Sequence, residues 1–393
     1  MAFLGGVGGG AVFPILPVVG IDLGISAFMV GLILSANRIT RLGFNPITGS
    51  LLDRFGARWP VAIGLVIEAL GTLAFSIALV SEQPAAWFLA GRIIWGVGSS
   101  LLLVGALAAV MAIAPARTRA GMTAKVRTAV SLGLPAGLVL GGLVADQVSN
   151  NAAFLTATAL SVVAAIAAVF LLPDQAGEPA GRAARADSAT PRTQAWRELL
   201  AMPTLRIIFA ANALLFFAVS GVLLATVAVL VDTRALYVFG MNAQGSAGLL
   251  MAVLMGARAS TALACGRYLD HSDSRTRLLL PSMALVAIGF VGLGLAGDAV
   301  SASLALLVIG AGSGGLTIPM ITLLGDVAPR HLHGRALSIY QWSSDLGGAL
   351  GPAAGLELGR AFGYGWSYGL VGLAVLGMAL PLRWLARDER RSG

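Results

Sequence analysis

The sequence predicts an all-α membrane protein of twelve transmembrane helices, built as two six-helix bundles in parallel pseudo-repeat. Three observations carry that prediction. Hydrophobic residues make up 57% of the 393 and charged residues 11%, with a mean hydropathy of +0.86, whereas charged residues form roughly a quarter of a soluble domain. The apolar residues fall into twelve runs, each close to the ~20 residues that cross a bilayer. Short patterns in the first half of the chain recur in the second at a nearly constant spacing.

The runs lie near 2–19, 25–48, 60–80, 85–111, 120–144, 152–172, 205–231, 243–264, 277–297, 300–324, 335–358 and 362–385. Met1 leads almost directly into "AFLGGVGGGAVFPILP", with no basic leader and no small-residue cleavage site, so run one is expected to be a span and not a signal peptide. Pro14 and Pro17 should break it, and Arg38 and Arg41 should interrupt run two. Run three carries Glu68. Run four carries Arg92 in "GRIIWGVG", with Trp95 and Ser99 beside it, and runs eight and eleven carry Arg258 and Asp345. Between runs six and seven, "PDQAGEPAGRAARADSATPRTQAWRELLAMP" has no spanning period. It reads as a linker, which gives bundles at 1–172 and 205–393 (the latter with a short tail), joined by a cytoplasmic segment at 173–204.

The net charge of +8 comes mostly from arginines in short gaps between runs. If the N-terminus is cytoplasmic, the inner gaps hold Arg54, Arg58, Arg117, Arg119, Lys125, Arg127, the linker arginines, Arg267, Arg275, Arg277, Arg330 and Arg335. The outer gaps hold only Arg234 and Arg360. The positive-inside rule therefore places both termini in the cytoplasm and ties the basic excess to orientation, not to nucleic acid. Cys265 is the single cysteine and the three histidines sit in connectors, so neither a metal site nor a cofactor is expected. No G-x-x-x-x-G-K-[ST] loop is present, and no nucleophile, base and orienting group cluster, so neither a nucleotide-driven pump nor an enzyme is expected.

"PITGSLLDRFGARW" concentrates charge after run two, and "LACGRYLDHSDSRTRL" repeats its glycine-to-aspartate step after run eight: Gly49 to Asp53, Gly266 to Asp270. An offset of 217 relates these clusters and also carries Arg41 onto Arg258. An offset of 214 carries Gly96 and Gly98 onto Gly310 and Gly312, and Gly133, Gly137 and Gly141 onto Gly347, Gly351 and Gly355. Small residues every fourth position make a helix face that another backbone can approach closely. Repeats of this kind characterise transporters that rock two halves around a midplane site.

The residues resemble those of the major facilitator superfamily. Its signature after the second helix, roughly G-x-L-a-D-R-x-G-R, is matched by Gly49, Leu51, Asp53, Arg54, Gly56 and Arg58. The degenerate copy is matched by Gly266, Asp270 and Arg275, and the fourth-helix R-x-x-x-G-x-G by Arg92, Gly96 and Gly98. The fifth-helix antiporter pattern is partial: "LGLPAGLVLGG" keeps Gly133, Pro135, Gly137, Gly141 and Gly142 but has no Gly-Pro pair. Gly133, Pro135, Gly137 and Gly141 of run five and Gly347, Gly351, Pro352 and Gly355 of run eleven are expected to serve helix packing. The general resemblance is to bacterial twelve-helix drug and metabolite proton antiporters of the inner membrane. It implies that run two lies beside run eleven and run eight beside run five. Asp53 would then latch onto the start of run eleven near Arg335, and Asp270 onto the start of run five, against helix N-termini that carry partial positive charge.

Charges inside spans are costly and usually functional. Arg41, Glu68, Arg258 and Asp345 lie at similar depth, so Arg41 could pair with Glu68 within one half, or Arg38 or Arg41 with Asp345. Asp345, with Gln341 and Trp342 one turn before it, is the favoured proton-coupling group, and Trp95, Ser99, Gln341 and Trp342 are candidates to line the cavity. Four in-span cations (Arg38, Arg41, Arg92, Arg258) against Glu68 and Asp345 favour anionic or polar neutral cargo. The leading expectation is a monomeric, proton-coupled exporter of a small organic molecule. The alternatives are a proton-coupled importer of an organic anion and a non-transporting sensor or scaffold.

Overall fold

A computed structural model of the chain describes residues 1–113, 119–172, 192–270, 276–329, 332–383 and 385. Helices account for nearly all of them. In chain order they are α1 (Ala2–Asp22), α2 (Ala27–Phe55), α3 (Arg58–Ala78), α4 (Pro84–Ile113), α5 (Arg119–Gln147), α6 (Asn150–Leu171), the short α7 (Arg192–Ala201), α8 (Pro203–Thr233), α9 (Ala243–Asp270), α10 (Leu279–Leu295), α11 (Ala299–Val327), α12 (His333–Phe362) and α13 (Tyr364–Gly377). Setting α7 aside, each helix coincides with one of the twelve apolar runs.

Local chemistry fixes several ends. Ser26 Oγ accepts from the Met29 amide at 3.3 Å, and Ser149 Oγ from the Ala152 amide at 3.1 Å, capping α2 and α6. Asp298 and Ser301 form a reciprocal capping box at the start of α11. Gly56, at φ +69°, ends α2, a backbone conformation that glycine reaches without Cβ strain.

Three expectations are corrected. Pro14 and Pro17 lie inside a continuous α1, whose residues Gly5 and Val7 to Gly20 are buried among neighbouring helices. Apolar surroundings offer no partner for backbone groups that a broken helix would release, so the helix persists through its prolines. Arg38 and Arg41 do not interrupt α2, which runs unbroken for 29 residues. The charged stretch after run two is likewise no loop, because Gly49 to Phe55 are the last turns of α2 and only Gly56 and Ala57 separate α2 from α3.

The chain forms two compact units, one of Met1–Ala186 with Val238–Leu249 and one of Asp187–Tyr237 with Leu250–Gly393. In the first, α5 lies against α1 through its glycine steps. A Cβ on Gly133 would stand 2.9 Å from the Gly6 Cα, one on Gly137 2.8 Å from the Val7 carbonyl carbon, and one on Gly141 2.5 Å from the Ala11 Cα. Helix α4 is wedged between α2 and α3: Gly96 faces the Asn37 carbonyl, and Gly98 faces the Glu68 amide at 2.8 Å from its would-be Cβ.

The second unit repeats this plan with its own helices. Cβ atoms on Gly347, Gly351 and Gly355 of α12 would run into backbone of α8 at Ala213, Gly221 and Val222. Gly310 and Gly312 place α11 between α9 and α10. Where α8 meets α12 it passes through a π-helical turn, Phe217–Leu223.

Candidate functional site

Within the first unit the in-span charges are held very differently from one another. Arg92 is completely buried on α4 and turns its guanidinium to α2. Nε donates to the Ile33 carbonyl at 3.3 Å, and Nη2 to the Leu34 carbonyl at 2.9 Å and to Asn37 Oδ1 at 2.8 Å. The guanidinium carbon also lies 5.3 Å from the Phe13 ring centroid and 5.7 Å from that of Trp95, within cation–π range. Nη1 is buried without a hydrogen-bond partner, while Nε and Nη2 bolt the two helices together. Arg38 and Arg41, on the same α2, are partly exposed and each has an interaction partner.

Glu68 of α3 is the opposite case. It is completely buried, and neither carboxyl oxygen has a hydrogen-bond partner. The pairing with Arg41 expected from equal depth is therefore absent: depth fixes height along the helix, not the face, and Glu68 faces Gly5 of α1 and Gly98 of α4. Trp95 is 7% exposed, with its ring against Gly9 and its Cβ side against Gly71. Ser99 Oγ is occupied by the Gly96 carbonyl at 3.0 Å. One residue further, Ser100 bonds Asn45 Oδ1 at 2.6 Å and Thr48 Oγ1 at 2.7 Å, a second polar tie between α4 and α2.

In the second unit Arg258 of α9 places its guanidinium carbon 5.3 Å from the Phe216 ring centroid. Asn212 of α8 donates to the Tyr340 carbonyl at 2.8 Å and to Ser343 Oγ at 2.9 Å on α12, leaving Asn212 Oδ1 and the Tyr340 hydroxyl buried without partners. Asp345 is 7% exposed and accepts a long hydrogen bond, 3.5 Å, from Gln341 Nε2. Gln341 is exposed, and Trp342, at 43% exposure, meets Trp196 of α7 edge-on with ring centroids 6.0 Å apart. Pro135 and Pro352 lie inside α5 and α12.

At the ends of α2 and α9 the side chains of Asp53 and Asp270 lie outside the described residues, as do Arg117, Arg275, Arg330 and most linker arginines. Arg54 and Arg58 rest over Phe55 and Trp59 at 5.2 and 5.6 Å, and Arg335 is partly exposed. Gly49 and Gly266 have open space where a Cβ would stand, unlike the glycines of α4, α5 and α12. Among the described residues no group of three or more His, Cys, Asp or Glu could hold a metal ion.

Asn37, Asn45 and Asn212 went unremarked in the sequence. The available signal was an amide side chain inside a run of apolar residues, where a polar group without a partner would be costly.

Two helical units on one glycine plan, with charged and amide groups buried inside them, define a polytopic protein of the transporter fold class. The chain belongs to the Major Facilitator Superfamily, whose sequence profile matches residues 1–352 and 239–393. It is 28% identical over 177 residues to multidrug resistance protein 1 of Bacillus subtilis (45% of this chain, 44% of that protein) and 27% identical over 172 residues to the quinolone resistance protein NorA of Staphylococcus aureus (44% and 43%). The matched stretch thus spans less than half the length of these relatives. In fold it is similar to a bacterial homolog of the human lysosomal transporter Spinster, in an inward-facing and occupied conformation (TM-score 0.76, 13% identity, 100% of this chain and 95% of that one). It is also similar to a D-xylose-proton symporter (TM-score 0.72, 19% identity, 96% and 95%).

Proposed function

We propose that this protein is a proton-coupled secondary transporter that exports a small organic molecule across a bacterial inner membrane by alternating access, with both chain ends in the cytoplasm. The observation that carries the reading is the repeated glycine plan, which gives each unit a rigid, closely packed frame and makes the units fit to move as bodies. The multidrug and quinolone resistance relatives favour export of organic compounds. A fold similar to that of a D-xylose-proton symporter keeps proton-coupled import as the second reading.

The cargo is an anionic or polar neutral molecule. Arg92 is withdrawn from the cavity by its bonds to α2, which leaves Arg38, Arg41 and Arg258 against Glu68 and Asp345. That balance still does not suit a lipophilic cation. Coupling requires a carboxyl inside the spans whose surroundings differ between states, and Glu68 and Asp345 are the two mid-depth acids.

The test is transport by the full-length protein in proteoliposomes under an imposed pH gradient of either sign. The panel would hold a fluoroquinolone, ethidium, organic carboxylates and neutral sugars. Gradient-driven movement of a carboxylate or neutral solute opposite to the proton supports export, and movement with the proton selects import. Indifference to the gradient overturns proton coupling, and a strong preference for ethidium overturns the charge argument.

A further inference from the structure

Among the buried side-chain atoms of the first unit that have no hydrogen-bond partner, those of three residues face one short stretch of α1: both oxygens of Glu68 on α3, Nε1 of Trp95 on α4 and Oγ of Ser161 on α6. Glu68 and Ser161 are fully buried and Trp95 is 7% exposed. A Cβ on Gly5 would stand 2.9 Å from Glu68 Oε2, and one on Gly8 would stand 3.3 Å from Ser161 Oγ and 3.6 Å from Trp95 Nε1. Residues three apart on a helix are neighbours at ~5–6 Å, so the carboxyl and the two donors are separated by about one turn of α1.

Helix α1 cannot satisfy them. From Ala2 to Ile21 it carries no polar side chain, and its glycines bring bare backbone against the three groups. Thr72, one turn from Glu68, has its hydroxyl bonded to the Glu68 and Ala69 carbonyls and to Thr158 Oγ1 at 2.8 Å. The acceptor and the donors match each other chemically but are held apart. A buried polar group normally has a partner, and each exception calls for a reason.

We propose that Glu68 is the proton-carrying group of this transporter, and that Trp95 and Ser161 are the donors that receive its carboxylate in the other conformation. In the conformation described here Glu68 keeps its proton, since an ionised carboxylate without a partner could not be sustained in that apolar setting. When α1 shifts, the carboxyl O–H bond breaks and the proton passes to water on the side then open. The carboxylate then accepts from Trp95 Nε1–H and Ser161 Oγ–H, bonds of the stronger, charge-assisted kind. Reprotonation from the opposite side reverses the step. This inference rests on the proton-coupled reading and names its site.

Among the described residues Glu68 has no hydrogen-bonding counter-ion. Arg58, on the same helix, lies ten residues before Glu68. On α4, Arg92 is turned to α2. On α1 the charged groups are the Met1 amino group at its start and Asp22 at its far end, and α6 carries none. Asp345 is in a different position, because it already accepts from Gln341.

Full-length wild-type protein in lipid vesicles is treated with dicyclohexylcarbodiimide, which adds to protonated carboxyls in apolar surroundings, and the Glu68 peptide is followed by mass spectrometry from acid to alkaline pH. Labelling at Glu68 is expected at neutral pH and is lost as the medium turns alkaline. In Trp95→Phe and Ser161→Ala the ratio of acid to alkaline labelling falls toward one, because the ionised form has lost its donors. Glu68→Gln should still exchange, between equal pools, whichever solute the wild type carries, but lose accumulation driven by the pH gradient.

Absent or pH-independent labelling of wild-type Glu68 overturns the proposal without requiring any variant to fold. So does gradient-driven accumulation at wild-type level in Glu68→Gln. Wild-type transport that ignores the gradient is a different failure: it removes the proton-coupled reading itself.

Discussion

Arg92 of α4 donates to Asn37 Oδ1 of α2 at 2.8 Å, and the same guanidinium holds the Ile33 and Leu34 carbonyls. One side chain thereby closes the approach that Gly96 permits between α4 and α2. A lysine has neither the planar fork nor the reach for three acceptors. Arg92→Lys should therefore lower thermal stability in detergent by the equivalent of ~1.5–3 kcal/mol, the range for hydrogen bonds to a charged group, with Asn37→Ala milder. A melting temperature unchanged by Arg92→Lys would show that the bolt contributes nothing.

The glycines divide into two groups that substitution should separate. Alanine at Gly137 or Gly351 drives a methyl into the backbone of α1 or α8, an overpacking that costs roughly 1–3 kcal/mol. Alanine at Gly49 or Gly266 meets open space and should leave stability unchanged or raise it by up to ~1 kcal/mol through helix propensity. Melting curves at matched expression distinguish the groups, and equal losses at all four positions would contradict the packing described.

Asp53 stands in the last turn of α2, the negative end of a helix dipole, where an acid disfavours the helix by about 0.3–1 kcal/mol. Asp53→Asn should therefore fold at least as well as the wild type, while transport falls to a small fraction of its rate if the carboxylate serves gating. Solute flux normalised to protein in the membrane measures it, and wild-type flux would leave the residue without a gating role.

Asp345→Asn should slow transport yet leave accumulation in a pH gradient, as the proposed proton role of Glu68 requires. Initial rates and steady-state accumulation, measured on the same vesicles, separate the two quantities. Loss of accumulation with preserved exchange would transfer the coupling role from Glu68 to Asp345.

At the start of α11, Ser301 donates its amide to Asp298 Oδ1 at 2.7 Å. This bond, with help from the Ser301 hydroxyl, holds the carboxyl below the usual carboxylate range. A depressed folded-state value means that the cap's contribution is present above the unfolded-state value and is lost as pH falls through the folded one. Protection of the Ser301 amide, taken relative to its intrinsic exchange rate at each pH, should fall in acid below the ordinary carboxylate range, and Asp298→Asn should flatten that dependence. An acid limb equally steep in Asp298→Asn would assign it to another group.

The span count and the glycine spacing were legible because both follow from periodicity: twenty apolar residues cross a bilayer, and a step of four keeps small residues on one helix face. Arg92 and Glu68 were legible as charges in an apolar run, but their fates were not. Whether a guanidinium finds carbonyls, or a carboxyl finds nothing, depends on the azimuth of a neighbouring helix, and that is set by packing distant in sequence. The prolines of α1 misled for a related reason, since the expectation that proline breaks a helix assumes water for the released groups.

The π turn of α8 sits between two lateral attachments: Asn212, bonded to Tyr340 and Ser343 of α12, precedes it, and Thr226, bonded to the Tyr368 hydroxyl of α13 at 2.8 Å, follows it. A π turn stores surplus chain, and taking one residue out of it rotates everything on one side by about 100°, the angular step of an α-helix. Helix α8 is in that sense a geared shaft, whose two ends address different neighbours only while the surplus is kept. Deleting Ala218 should put the shaft out of mesh, leaving one attachment intact and turning the other away from its partner.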